Sequence, residues 1–95
     1  MKIDFTKLNV EVEFDKFETI DCAKFVANSI KKMTSDIGLE DVCRTIFHSK
    51  GAIEISEEYV PQFLEHVMGC DAIQAGVKRA IRDQLTPKQK SSEKK

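Results

Sequence analysis

From Gly51 to Leu85 the apolar positions change period, from two residues to about 3.6, and the change marks a strand followed by two helices. Ile53 and Ile55 alternate with Ala52 and Glu54, so 52–55 reads as a short strand. Ser56 offers a helix cap, and Glu57 and Glu58 place negative charge where a helix dipole favours it. Val60, Phe63, Leu64, Val67 and Met68 then form one helical stripe. Pro61 removes an early hydrogen bond, so the helix either starts at 57 with an irregular turn or starts nearer Val60. Gly69 ends it. Asp71 with Gln74 makes a capping box, and Ile73, Val77, Ala80, Ile81 and Leu85 form a last stripe. Pro87 forbids much continuation, so 87–95 reads as a disordered basic tail.

The amino-terminal half has the same two periods. Ile3 and Phe5 share one parity, and Val10, Val12 and Phe14 share the other, so 2–14 reads as strand with a turn or bulge near Thr6–Asn9. Asp15-Lys16 then turns a hairpin, and 17–20 returns. Asp21 caps a helix over 22–33 with Cys22, Phe25, Val26, Ile30 and Met33 on its stripe. Thr34-Ser35-Asp36 breaks that helix and caps the next, over 37–48, where Leu39, Val42, Cys43, Ile46 and Phe47 recur with helical spacing. Gly51 suits a left-handed stop. A shift of 38 residues lays Phe25 on Phe63, Val26 on Leu64, Leu39 on Val77 and Cys43 on Ile81. The halves are then two strand–helix–helix units, or two helix pairs that match by period alone.

The fold class that follows is α+β: a small antiparallel or mixed sheet of two to four short strands packed with four amphipathic helices. Of the 95 residues, 1–86 form one globular domain. The expected core is Val12, Phe14, Phe25, Val26, Ile30, Leu39, Val42, Ile46, Phe47, Ile53, Ile55, Phe63, Leu64, Val67, Val77 and Ile81.

Charge divides the chain unevenly. Residues 1–77 carry eight Lys/Arg against fourteen Asp/Glu, net −6, and 78–95 carry seven against two, net +5. Lys78, Arg79 and Arg82 share a face of the last helix, and Lys88 and Lys90 follow in the tail. That end can dock an acidic protein partner or bind phosphate. No aromatic residues interleave with it, as stacking on bases would require. The plainer reading is a solvated helix face whose cations complement the dipole.

Catalytic chemistry finds little support. Cys43, His48, His66 and Cys70 match no zinc-ligand spacing. Cys70 is placed at a helix–helix turn where a thiol can become reactive, yet no base is positioned beside it. Glycine-rich phosphate loops and nucleophile elbows are absent. No enzyme, cofactor or metal is therefore expected. Three cysteines, an odd number without a close pair, indicate reduced thiols and a cytoplasmic setting. No apolar run is long enough to cross a membrane, and no signal peptide opens the chain.

Three stretches, Thr34-Ser35-Asp36-Ile37-Gly38-Leu39-Glu40, Glu54 to Leu64 and Ala75-Gly76-Val77-Lys78-Arg79-Ala80-Ile81, resemble small uncharacterised accessory proteins of phages and mobile elements of gut bacteria. The resemblance covers about half the chain and gives no residue a role. It implies a short, non-enzymatic accessory protein that acts by docking on a larger protein. Nucleic-acid binding through the last helix and tail is the alternative.

Overall fold

The computed structural model describes residues 1–86 and has an α+β fold with two small antiparallel sheets and four helices. β1 (Lys2–Ile3) pairs with β4 (Ile53–Glu54), and Ile55 N–H donates to Met1 O at 2.8 Å to extend that ladder. β2 (Leu8–Glu13) and β3 (Lys16–Ile20) form a separate hairpin. The single sheet expected over 2–20 and 52–55 is thus divided. The division has a local cause. Asp4 accepts a hydrogen bond from Thr6 N–H at 2.9 Å and starts a 3-10 turn over Phe5–Lys7. That turn redirects the strand and resets its parity, so Ile3, Phe5, Leu8 and Val10 all reach the core.

A second irregularity, further along β2, overturns two core expectations. Val12 is the unpaired residue of an irregularity between Glu11 and Glu13, and Phe14 occupies the hairpin turn. Both are exposed, Phe14 at 95%. Asp15 completes the turn with φ 65°, a left-handed conformation that Asp tolerates better than most residues. Its N–H donates to Glu11 Oε2 at 2.8 Å.

α1 (Ala23–Lys31) buries Ala23, Val26, Ala27 and Ile30. The buried stripe is rotated toward the two alanines, and Phe25, expected in the core, is 48% exposed. Small side chains on that face let the neighbouring α2 approach closely, and they leave no space for a phenyl ring. Asp21 Oδ1 accepts from Ala23 N–H at 3.1 Å near the start of α1. α2 (Ile37–Phe47) is capped by Asp36, which accepts from Gly38 N–H at 2.8 Å and Leu39 N–H at 3.4 Å. Val42, Phe47, Ile53 and Leu64 are half-buried at the margin of the core rather than inside it.

α3 (Val60–Met68) starts at Val60 with Pro61 in its first turn, where a missing N–H costs nothing. Ser56 is therefore not its cap. Gly69 ends α3 with φ −90°, and no described glycine has positive φ, so Gly51 makes no left-handed stop. α4 (Ala75–Leu85) begins after a turn over 71–73, with Gln74 at the cap position and no side-chain capping bond. The Asp71–Gln74 capping box does not form, because Ile73 is drawn into the core before the helix begins.

α1 and α3 both span nine residues, and α2 and α4 both span eleven. Ala23, Val26 and Ile30 of α1 occupy the buried positions that Val60, Phe63 and Val67 occupy in α3, one residue out of step with the 38-residue shift. Leu39 and Cys43 match Val77 and Ile81 in step with it. The packing differs between halves. α1 lies along α2, whereas α4 lies mainly against β2. Phe5 and Phe63 meet edge to face at the centre, ring centroids 5.9 Å apart.

Candidate binding surface

The hairpin is built as an arm with an apolar end. Leu8 and Val10 anchor its base in the core. Pairing of Glu11 with Phe17 and of Glu13 with Lys16 carries the two strands to the Phe14-Asp15 turn. Val12, Phe14 and Phe17 consequently emerge within six residues of chain at 43%, 95% and 56% exposure. Single exposed apolar residues are ordinary, but three at one hairpin end concentrate apolar surface there. Beside this surface runs an open groove of about 640 Å³, with Glu11, Val12 and Phe14 on one wall and Gln74, Gly76 and Arg79 on the other.

The charge of this arm is negative. Glu11, Glu13, Asp15, Glu18 and Asp21 stand against Lys16 between residues 11 and 21. Glu11 lies 3.9 Å from Arg79, and Glu13 lies 3.9 Å from Lys16. Asp15, Glu18 and Asp21 have no cation within 4 Å among the described residues.

The basic cluster expected from sequence is more dispersed than a single patch. Lys78 borders the buried stripe of α4, and its Nζ donates to Met68 O, near the end of α3, at 2.9 Å. This satisfies a carbonyl left open by the helix end. Arg79 reaches back to Glu11 on β2, and Arg82 contacts Asp83 at 3.3 Å. All three sit on α4 as expected, but each has an oxygen partner within its own fold. Lys88 and Lys90, with the rest of the tail from 87 to 95, lie outside the described residues.

The remaining candidates are mostly structural. Cys22, Cys43 and Cys70 are all buried and free. Burial pushes the Cys43 thiol up to about 11, with Glu40 adding to the shift, so it stays protonated at neutral pH. Burial also raises Cys22, helped by Asp21. Cys70 lies in the turn after α3, several residues ahead of the first turn of α4. His66 Nδ1 is within 2.9 Å of Gln62 O in its own helix. No three metal-ligating side chains gather among the described residues.

Between α1 and α2 a cavity of about 200 Å³ is lined by Asn28, Lys31, Glu40, Cys43 and His48. Glu40 accepts from Lys31 at 2.6 Å and from Arg44 at 3.2 Å, which holds its carboxyl below the usual range. Lys24 stands over the Phe47 ring, 4.8 Å from its centroid. These groups satisfy one another and tie the two helices together.

The alternation through Val12 and Phe14 points both toward the core, so the arm is not visible in the sequence pattern. Alternation alone could not show that the strand leaves the core after Val10. The Asp15-Lys16 turn was the available signal, because residues next to a tight turn project from the sheet. No helix of the described residues is long and apolar enough to cross a membrane. No protein-family profile, curated protein or solved structure matches the chain.

Proposed function

We propose that this chain is a small, non-enzymatic protein-binding accessory module that docks on a larger protein. The observation that carries this reading is the exposure of Val12, Phe14 and Phe17 together at the end of a hairpin whose base is fixed in the core. Apolar area concentrated on a rigid support is what a protein interface requires, since little ordering entropy is lost on binding. The resemblance of residues 34–85 to accessory proteins of phages and mobile elements points the same way.

A pull-down from host lysate, with and without nuclease, tests the reading when three forms of the protein are compared. Phe14→Ser with Phe17→Ser should lose the partner while the fold persists. Lys78→Ser, Arg79→Ser and Arg82→Ser together should retain it. The reverse pattern would move the docking surface to α4. A partner lost on nuclease treatment, with affinity falling steeply as salt rises, would instead support nucleic-acid binding through α4 and the tail. A partner seated on an apolar centre loses far less with salt.

A further inference from the structure

We infer, resting on the docking reading above, that the partner segment is an extended cationic strand that adds to the outer edge of β3. Three observations meet at this edge. β3 pairs with β2 on one side, and among the described residues no strand lies on the other. The β2 side of the hairpin is obstructed, because α4 packs there with Gly76 against the Glu11 carbonyl and the Val10 side chain. Among the described residues the β3 edge is therefore the open one, with alternate N–H and C=O groups of residues 16–20 directed outward. Five residues extend about 17 Å, the length of an ordinary strand partner.

The edge also lacks most of the devices that keep strands apart. It has no proline, its single lysine stands at the turn end, and the irregularity in the hairpin falls on β2 rather than on β3. Every residue of β3 except Ile20 is exposed. Phe17 and Phe14 supply apolar contact at the turn end.

Charge selects the occupant. Glu18 in mid-strand, Asp15 at the turn and Asp21 beyond the strand have no cation within 4 Å among the described residues. Lys16 at the turn end and Lys24 in the first turn of α1 are the cations nearest the two ends of the strand in sequence. A second copy of this chain would place one acidic arm against another, and an antiparallel pairing centred on the strand would set Glu18 against Glu18. A segment that alternates Lys or Arg with apolar residues meets Glu18 with opposite charge and Phe17 with an apolar side chain.

Selection of random twelve-residue peptides on the immobilised full chain tests this. The expected winners carry Lys or Arg alternating with Val, Ile or Phe at a period of two. Their binding should slow amide hydrogen exchange in residues 16–20, and Glu18→Lys should weaken it. Methylating alternate backbone nitrogens of a winning peptide should weaken it about tenfold, as loss of two or more backbone hydrogen bonds implies. Acidic winners, winners with helical spacing, no winners, or indifference to N-methylation would overturn strand addition. A dimer in sedimentation that Phe17→Ser dissociates would overturn it by making a second copy the occupant. If winners of the wrong pattern are still lost on changing Phe14 and Phe17 to Ser, strand addition fails while docking at the arm stands. If a partner is captured equally with and without that double change, the docking reading itself fails.

Discussion

Gly76 lies so close to the backbone carbonyl of Glu11 that a side-chain carbon there would overlap the carbonyl oxygen. This approach lets α4 rest directly on β2, and Arg79, one turn further on, reaches the Glu11 carboxylate from the same helix. The hairpin is thereby held from one side, and its apolar end projects on a fixed base.

Gly76→Ala should push α4 off β2 and cost about 1–3 kcal/mol, as overpacking against an unyielding backbone does. Urea denaturation measures it. Gly51→Ala is the control, since a side chain at Gly51 meets only open space and no left-handed φ is involved. Its midpoint should stay within about 0.5 kcal/mol of the parent.

Phe63→Ala should cost about 3–5 kcal/mol, because the ring is fully buried and packs edge to face on Phe5. Phe14→Ala should change stability by less than about 0.5 kcal/mol, because Phe14 is almost wholly exposed. Equal effects in the two variants would mean that the hairpin end is folded onto the body.

Asp15→Val should destabilise by about 1–2 kcal/mol, since a β-branched residue resists the left-handed conformation at φ 65°. Asp15→Gly should be tolerated. A Val variant as stable as the parent would place the turn in another geometry.

Asp36 links pH to stability. Its carboxyl is held below the usual aspartate range by the hydrogen bond from Gln62, and then by the N–H groups of Leu39 and Gly38. A depressed carboxylate stabilises the fold above its unfolded pKa, and that contribution disappears as pH falls through the folded value. The urea midpoint should therefore drop on acidification below the ordinary aspartate range. Asp36→Ala should lower the midpoint at neutral pH and flatten that drop. An unchanged pH profile in the variant would remove Asp36 from the account.

Three thiols should titrate after denaturation without reductant, and Cys43 should be inert to alkylation in the native state. Burial and a thiol pushed up to about 11 both withhold the reactive thiolate. Rapid native-state labelling of Cys43 would show that α1 and α2 separate readily.

Local signals in the sequence determined the helices, because each depends on neighbours within a turn or two. Asp36 caps α2, Gly69 ends α3, and the stripes through Val26, Leu39, Phe63 and Ile81 mark buried faces. The turn at Asp15 was legible for the same reason. Alternation between Val10 and Phe14 carried no information on where the core ends, since period two is the same whether a strand is covered or bare. Tertiary structure decided that by seating α4 against β2 at Gly76 and leaving Val12, Phe14 and Phe17 beyond its reach. It also decided how the basic residues of α4 are spent, because Glu11 and Met68 O are distant in sequence from Arg79 and Lys78 and meet them only in the folded chain. The candidate site lies where those long-range contacts stop, which no local pattern reports.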